Sequence, residues 1–192
     1  MSESDPGIWQ ALLQSGEVIA TEAEYEHGYS RSLRDDLVRM VSFRLGSEIH
    51  AIPIRQVREI TRCFSVTAVP RTRAYVRGVG TLRGALLPVL CLASRLGLTP
   101  EPESRASRVL VVQIDSDAFG LLVDEVIDVV SLEPESLREP PSVLSGAGGV
   151  NRDFVFALAR RAGKLLIVLN LTTVIAPEDF VASEWREGQG DR

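Results

Sequence analysis

The sequence is poor in the residues that most often carry chemistry. It has two cysteines, two histidines and a single lysine, and aromatic residues make up 6% of its 192 residues. Cys63 and Cys91 lie 28 positions apart and form no CxxC pair, which argues against a disulfide scaffold and fits a reducing compartment. No set of cysteine, histidine and carboxylate residues has the spacing of metal ligands. We therefore expect neither a bound metal nor a cofactor.

Long hydrophobic runs are also missing. No apolar run approaches the roughly 18 residues expected of a membrane span. The start of the sequence, MSESDPG, is acidic and lacks the basic and then apolar pattern of an export signal. These absences predict a cytoplasmic protein without direct membrane insertion. The 45% of apolar residues is enough for the core of one or two domains.

Catalysis is not indicated by the remaining polar residues. His27 lies in a polar N-terminal segment and His50 at the start of a predicted strand, so both side chains are expected to be hydrogen-bonded or exposed. One group of clustered carboxylates, Asp124, Glu125 and Asp128, suggests acid–base chemistry or a metal site. Their spacing puts the neighbouring valines on one face and the charges on the other, which predicts a solvated face. We therefore expect that the protein is not an enzyme.

Charge is unevenly distributed along the chain. Residues 1–40 contain eight acidic residues and three arginines, a net charge of −5 that equals the charge of the whole chain. Residues 55–95 contain eight arginines and one acid, Glu59. This basic segment predicts either a solvated face or a docking surface for an acidic partner, including the acidic N-terminal segment itself. Nucleic acid is a weaker alternative, because lysines and interleaved aromatics are scarce.

The segment VRGVGTLRGALLPVL, residues 76–90, holds three glycines and a central arginine. Gly78, Gly80 and Gly84 nearly match a dinucleotide-binding loop, but such a loop must open a helix. The residues that follow Gly84 form an apolar run with an early Pro88 and no helical period, so they predict a buried strand. The glycines therefore predict a tight hairpin with Arg83 at its tip.

Short strands separated by turns dominate the rest of the chain. Apolar residues alternate in VSFRLG from Val41, a turn at residues 46–47 leads into IHAIPI, and further strands are predicted at 66–70, 85–90, 108–114, 119–123, 155–160 and 164–171. Without amphipathic helices between them, these strands favour small barrels or a sandwich over a parallel sheet. Short helices are predicted at residues 8–16 and from Pro177.

The strand pattern repeats within the chain. Residues 43–60 align without a gap on residues 112–129, and residues 78–92 align on residues 157–171, with Gly84 on Gly163. The second copy has gained about ten residues near 134–149. Each copy is too small to be very stable alone, so we expect the two units to pack together.

Three long strings, VSFRLGSEIHAIPIRQVREI, VPRTRAYVRGVGTLRGALLPVLCLASRLGL and RVLVVQIDSDAFGLLVDEVIDVV, resemble the CheW family of chemotaxis adaptors. The resemblance covers about residues 40–175. It implies a mainly β fold of two small five-stranded Src-homology-type barrels packed together, the first at about 40–105 and the second at about 106–175. Residues 1–39 would form an acidic, partly helical extension, and residues 176–192 a short helix and tail.

The same resemblance implies a non-catalytic adaptor that couples chemoreceptors to a histidine kinase. The expected partners are the cytoplasmic tip of a chemoreceptor and the regulatory domain of the kinase, at membrane-bound receptor arrays. Residues that the family pattern assigns to kinase binding are Val57, Glu59, Arg77 and Gly78. Those assigned to receptor binding are Ile54, Ile60, Arg83 and Leu86, with a plain core role as the alternative for the apolar ones.

Several positions depart from the family pattern. Thr81 replaces the usual Asn before Leu-Arg-Gly, Cys91 and Asn170 stand where Asp usually ends two long strands, Arg73 replaces a frequent Pro, and Ala157 replaces a frequent Gly. These positions leave open a specialised relative that binds the receptor but not the kinase. A nucleic-acid-binding double barrel is the remote alternative.

Overall fold

The computed structural model describes residues 37–114, 116–141 and 151–175. The described residues form eleven strands and two one-turn helices, with 3-10 turns at Ile54–Gln56, Pro134–Ser136 and Arg152–Phe154. The strands are β1 (Val38–Leu45), β2 (Glu48–Pro53), β3 (Val57–Arg62), β4 (Val66–Thr67), β5 (Val76–Leu82), β6 (Ala85–Cys91), β7 (Arg108–Ile114), β8 (Asp117–Val123), β9 (Glu125–Leu132), β10 (Val155–Arg161) and β11 (Lys164–Leu169). The helices are α1 (Leu92–Arg95) and α2 (Leu171–Val174).

The predicted strands are present, and two strands, β3 and β9, occur where the pattern predicts none. The expected shared apolar face of Val123, Val126 and Val129 is wrong, because Val123 is 1% exposed while Val129 is 45% exposed. Val126 and Asp128 pair with adjacent residues of β1, so Ile127 bulges out of the ladder. The buried side chains of β9 therefore follow the two-residue alternation of a strand, and the bulge shifts this alternation at Ile127.

The strands form two sheets that mix the two halves of the chain. One sheet has the order β10-β11-β2-β1-β9, and the other has the order β3-β7-β8-β6-β5-β4. Each sheet contains one parallel pair, β2–β11 or β6–β8, among antiparallel pairs. Each sheet contains strands from both residues 40–105 and residues 106–175, so neither range forms a barrel by itself. The two ranges are sequence repeats that exchange their first hairpins, β1-β2 and β7-β8.

The exchange follows the repeat residue by residue, which confirms the predicted duplication. A shift of 69 residues carries β1-β2-β3 onto β7-β8-β9, and a shift of 79 carries β5-β6 onto β10-β11. Under these shifts the observed parallel pair Val89–Gly120 becomes Val168–Ala51, which is also observed. The bulges in β3 and β9 fall at equivalent positions as well.

Short connections close both sheets into barrels. β3 and β4 lie on opposite edges of one sheet, yet only three residues separate them along the chain. A flat sheet of this width would hold its edges about 24 Å apart, whereas the connection spans at most about 14 Å. In the other sheet, Arg138 follows β9 and pairs with Leu158 of β10 at the opposite edge. We call the two units the six-stranded and the five-stranded barrel.

The main hydrophobic core lies between the barrels. It joins residues of β1 and β2 from the five-stranded barrel to residues of β6, β7 and β8 from the other. Phe43, Ile52, Leu110 and Leu121 are 0% exposed in this core. Each side chain of this size contributes about 1.5–3 kcal/mol on burial, so separating the barrels would be strongly unfavourable.

Arg95 joins the two repeats at the edge of this core. From α1 of the first repeat, its Nε donates to the carbonyl oxygen of Val174 at 2.6 Å. Its guanidinium carbon lies 4.5 Å from the ring centroid of Tyr75 and 4.8 Å from that of Phe154. The arginine therefore stacks between one aromatic ring from each repeat, an arrangement that favours a fixed packing of the two.

Several expectations lie outside the described residues. They are the helix at 8–16, the acidic extension before residue 37, most of the insertion near 134–149, and the helix that starts at Pro177. Among the described residues, no helix is long and apolar enough to cross a membrane.

His50 is a buried histidine in the five-stranded barrel, contrary to the expectation that it is exposed or hydrogen-bonded. Its side chain is 0% exposed, and neither ring nitrogen has a hydrogen-bond partner among the described residues. Its ring stacks on Phe43 at a centroid distance of 6.1 Å, and Glu48 Oε2 lies 3.3 Å from Nε2. Burial lowers the pKa of His50 from 6.5 to about 4. The repeat places Phe119 at the equivalent position, so an aromatic ring occupies this site in both repeats.

His50 should make the protein acid-sensitive. Its folded-state pKa is depressed, so its neutral form stabilises the fold fully above pH 6.5, and this stability is lost as the pH falls towards 4. We expect the wild-type chain to lose about 2 kcal/mol more of unfolding free energy between pH 7.5 and pH 5 than His50→Phe does. Urea unfolding at both pH values measures this difference. Equal losses in the two proteins would show that Glu48 compensates the charged ring.

Candidate docking surface

β3 places three of the predicted residues, Val57, Glu59 and Ile60, on one edge of the six-stranded barrel. Val57 and Glu59 are half-buried, and they alternate with residues whose side chains point outward. Ile60 is 41% exposed and stands between exposed Arg58 and Arg62. This outward face therefore presents an apolar side chain flanked by two positive charges.

Glu59 and Arg83 form an ion pair across the closure of the barrel. Arg83 Nη2 lies 2.7 Å from Glu59 Oε1, with side chains 78% and 30% exposed respectively. At this exposure an ion pair adds at most about 1 kcal/mol to stability. Its main effect is geometric, because it holds the guanidinium over β3 with much of its surface still open to a partner.

The hairpin between β5 and β6 presents Arg83, as predicted. Its two turn residues, Arg83 and Gly84, have φ values of 51° and 84°. Two consecutive positive φ values are typical of a two-residue type I′ turn, whose twist matches that of the flanking strands. Such a conformation is unusual for arginine, so its side chain stands at a strained tip. A strand, β6, follows Gly84 where a dinucleotide loop would open a helix, which confirms the predicted hairpin.

Leu86 and Ile54 differ sharply in exposure. Leu86, on β6, is 76% exposed, the largest exposure among the large apolar side chains of the described residues. Ile54 lies in the 3-10 turn between β2 and β3, where it is half-buried and packs against the shared core. Leu86 is therefore available for contact with a partner, whereas Ile54 is partly a core residue.

Arg77 and Gly78 lie on β5 and have different roles in the fold. Arg77 forms an exposed ion pair with Glu103. Gly78 has a φ of 133°, and a Cβ at this position would lie 2.0 Å from the carbonyl oxygen of Thr67 on β4. The backbone of the barrel therefore requires glycine at residue 78, whatever binds there.

The structure brings part of the two predicted sets together. Glu59 of the kinase set contacts Arg83 of the receptor set, and both sets lie mainly on the six-stranded barrel. The described residues contain no group of histidine, cysteine and carboxylate side chains that could hold a metal ion. Burial and the nearby Glu103 carboxylate raise the pKa of Cys63, which keeps its thiol in the less nucleophilic form. The surface presents exposed apolar and charged side chains to a partner.

Comparisons with known proteins agree with this geometry. The family model described as a CheW-like domain matches residues 39–178. This chain belongs to the CheW-like family. It is 29% identical over 80% of its length to the probable chemotaxis protein CheW of Rhizobium etli, covering 97% of that protein. It is 30% identical over 75% of its length to the chemotaxis protein CheW of Rhizobium meliloti, covering 91% of it.

A solved structure gives the same result. The scaffolding protein TtCheW of Thermoanaerobacter tengcongensis superposes with a TM-score of 0.68 and 27% sequence identity, over 79% of this chain and 94% of that one. The predicted mainly β CheW-like fold is therefore confirmed.

Three departures from the CheW-like pattern have different structural consequences. Asn170 accepts a hydrogen bond from the backbone N–H of Thr172 at 3.2 Å and so caps α2. The equivalent position before α1, Cys91, provides no such side-chain cap. Instead, Ser94 Oγ donates to Cys91 Sγ at 3.2 Å. Thr81 is exposed on β5 and cross-strand from Leu86, so its departure changes the surface and not the core.

Sequence reasoning missed a second exposed apolar group on the five-stranded barrel. Ile127, Val129 and Leu165 are 46%, 45% and 51% exposed. The repeat alignment contains the signal, since Val129 aligns with Ile60 and the shift of 79 carries Leu86 onto Leu165.

Replacing Gly78 by alanine should be far more disruptive than an ordinary glycine change. The new Cβ would clash with the β4 backbone, whereas at Gly97, which also has a positive φ of 78°, a Cβ meets nothing within 4 Å. We expect Gly78→Ala to lower the unfolding free energy by at least about 2 kcal/mol more than Gly97→Ala. Urea denaturation of both variants measures this. Equal decreases in unfolding free energy would show that the backbone does not require glycine at residue 78.

Proposed function

We propose that this chain is a non-catalytic adaptor that couples chemoreceptors to a chemotaxis-type histidine kinase. Its six-stranded barrel binds the regulatory domain of the kinase through Val57, Glu59, Arg77 and Gly78. The same barrel binds the cytoplasmic tip of a receptor through Ile54, Ile60, Arg83 and Leu86. The family membership supports the general role, and the geometry of the barrel supports these residue assignments.

The observation that carries the assignment is the Glu59–Arg83 ion pair. It links one residue of each predicted set at 2.7 Å. A partner that draws Arg83 away from Glu59 changes the charge that Glu59 presents to the other partner. Binding at one site thereby changes the affinity of the other site for its partner, which is what a coupling protein requires.

Exposed apolar residues supply the contact area for the receptor. An amphipathic helix places apolar side chains at positions i, i+3, i+4 and i+7, and Ile60 and Leu86 are apolar side chains left open to such a helix. Arg83 then orients the helix through its acidic or carbonyl groups. On the kinase side, pairing between two similar barrels would bury about 1,200 Å² or more, as in other specific interfaces.

Calorimetric titration of the full chain with two partners tests the proposal. One partner is the isolated regulatory domain of the organism's own chemotaxis-type histidine kinase, and the other is a receptor tip fragment. We expect Arg77→Glu to weaken kinase binding more than about tenfold and Leu86→Ser to do the same for the receptor, because each removes a contact from one set. Glu59→Arg should weaken both, since it also releases Arg83.

The matched control is Arg39→Glu, an exposed arginine on β1 of the other barrel. It should leave both affinities within about twofold of the wild-type values. Receptor binding without kinase binding, in a folded wild-type chain, would identify the specialised relative instead. Failure to bind either partner would refute the adaptor proposal.

A further inference from the structure

The five-stranded barrel carries a groove that neither predicted set of residues includes. Its volume is about 330 Å³, and its apolar lining comes from β2, β9 and β11. Ile49, Ile127, Val130, Leu165 and Leu166 form this lining. We call it the 127–165 groove.

The groove includes part of the repeat equivalent of the docking surface on the other barrel. Leu165, which is 51% exposed and lines the groove, stands where Leu86 stands in the first repeat. Val129, which is 45% exposed at the position of Ile60, lies outside the lining. The turns beside them also agree, since Ala162 and Gly163 have φ values of 48° and 77°. The duplication has therefore retained two open apolar positions on each barrel.

Positive charge borders the groove. Arg161 Nη1 lies 2.9 Å from both carboxylate oxygens of Asp128. A hydrogen bond from Ser42, together with this arginine, lowers the pKa of Asp128 and keeps it ionised. This pair is internally neutralised, whereas Lys164 and Arg160 form no ion pair with a described carboxylate. The charge of Lys164, which lines the groove at the start of β11, thus remains for a partner.

A partner that adds a β-strand is disfavoured here. The bulge at Ile127 interrupts the ladder of β9, and the bridge between Arg138 and Leu158 closes the barrel beside it. A groove of this volume accommodates one or two apolar side chains rather than a folded surface. An amphipathic helix that inserts such side chains and carries carboxylates at its margin fits both the apolar lining and the charged rim.

We propose that the 127–165 groove is a second docking site, for an acidic amphipathic helix of a partner protein. Leu165 and Ile127 contact its apolar anchors, and Lys164 faces its carboxylates. The site lies on a different barrel from the residues of the proposed function, so either proposal can fail without the other.

Lys164 allows a direct test, because it is the only lysine in the chain. Reductive methylation with a carbon-13 label keeps its charge and gives one lysine methyl signal beside that of the N-terminal amine. The probe is a synthetic helical peptide of leucine, alanine and glutamate, with leucines at i, i+3, i+4 and i+7. A second peptide carries lysine in place of every glutamate.

We expect the acidic peptide to shift the Lys164 signal saturably, and Leu165→Ser to weaken this binding at least about tenfold. Val69→Ser, a change at an exposed apolar residue outside the groove and outside both predicted sets, is the matched control and should leave the titration unchanged. The lysine peptide should produce no saturable shift.

Three outcomes would overturn the inference. A shift that Leu165→Ser leaves intact would mean that the peptide responds only to the charge of Lys164. Equal binding of the two peptides would remove the acidic specificity. No shift with the acidic peptide, in a chain whose spectrum shows it to be folded, would mean that the groove binds no such helix.

Discussion

The exchange of hairpins between the two repeats is the constraint on which the rest of the structure depends. β1 and β2 complete the sheet of the second repeat, and β7 and β8 complete that of the first. Neither repeat can therefore close its own barrel from its own strands. The shared core between the sheets follows from this arrangement, because the exchanged hairpins carry its largest side chains, such as Phe43 and Leu121. The two barrels form one cooperative unit rather than two linked domains.

This rigidity explains how short elements can present a docking surface. β4 has only two residues, and α1 has only four, so neither has much stability of its own. Closure of the six-stranded barrel nevertheless holds the Arg83 hairpin against β3, and the Glu59–Arg83 pair is a consequence of that closure. A surface fixed by the core loses little conformational entropy when a partner binds, which favours affinity.

The surface side chains of the two barrels differ, whereas their backbone conformations agree. The strand register, the bulges and the turn conformation agree between the repeats at every position compared. The side chains differ, since Ala162 stands at the position equivalent to Arg83, and Phe119 at the position equivalent to His50. Both substitutions keep the shape of their site and change its charge or polarity. The backbone ladder of this chain thus restricts shape closely, while its outward side chains differ between the two repeats.

The sequence by itself determined the mainly β class, most strands, the hairpin that carries Arg83 and the existence of the repeat. These features depend on local alternation, turn residues and internal similarity, which are readable along the chain. β3 and β9 escaped prediction because a bulge shifts the side chains of each strand and hides the two-residue period. Only the tertiary structure decided which hairpin joins which sheet, since strand pairing between distant segments leaves no local signal. The same pairing decided that Ile54 contributes to the core and that Glu59 meets Arg83 across the barrel. It also decided that His50 is buried without a hydrogen-bond partner in the described part of the chain. Each of these features depends on residues far away in the chain.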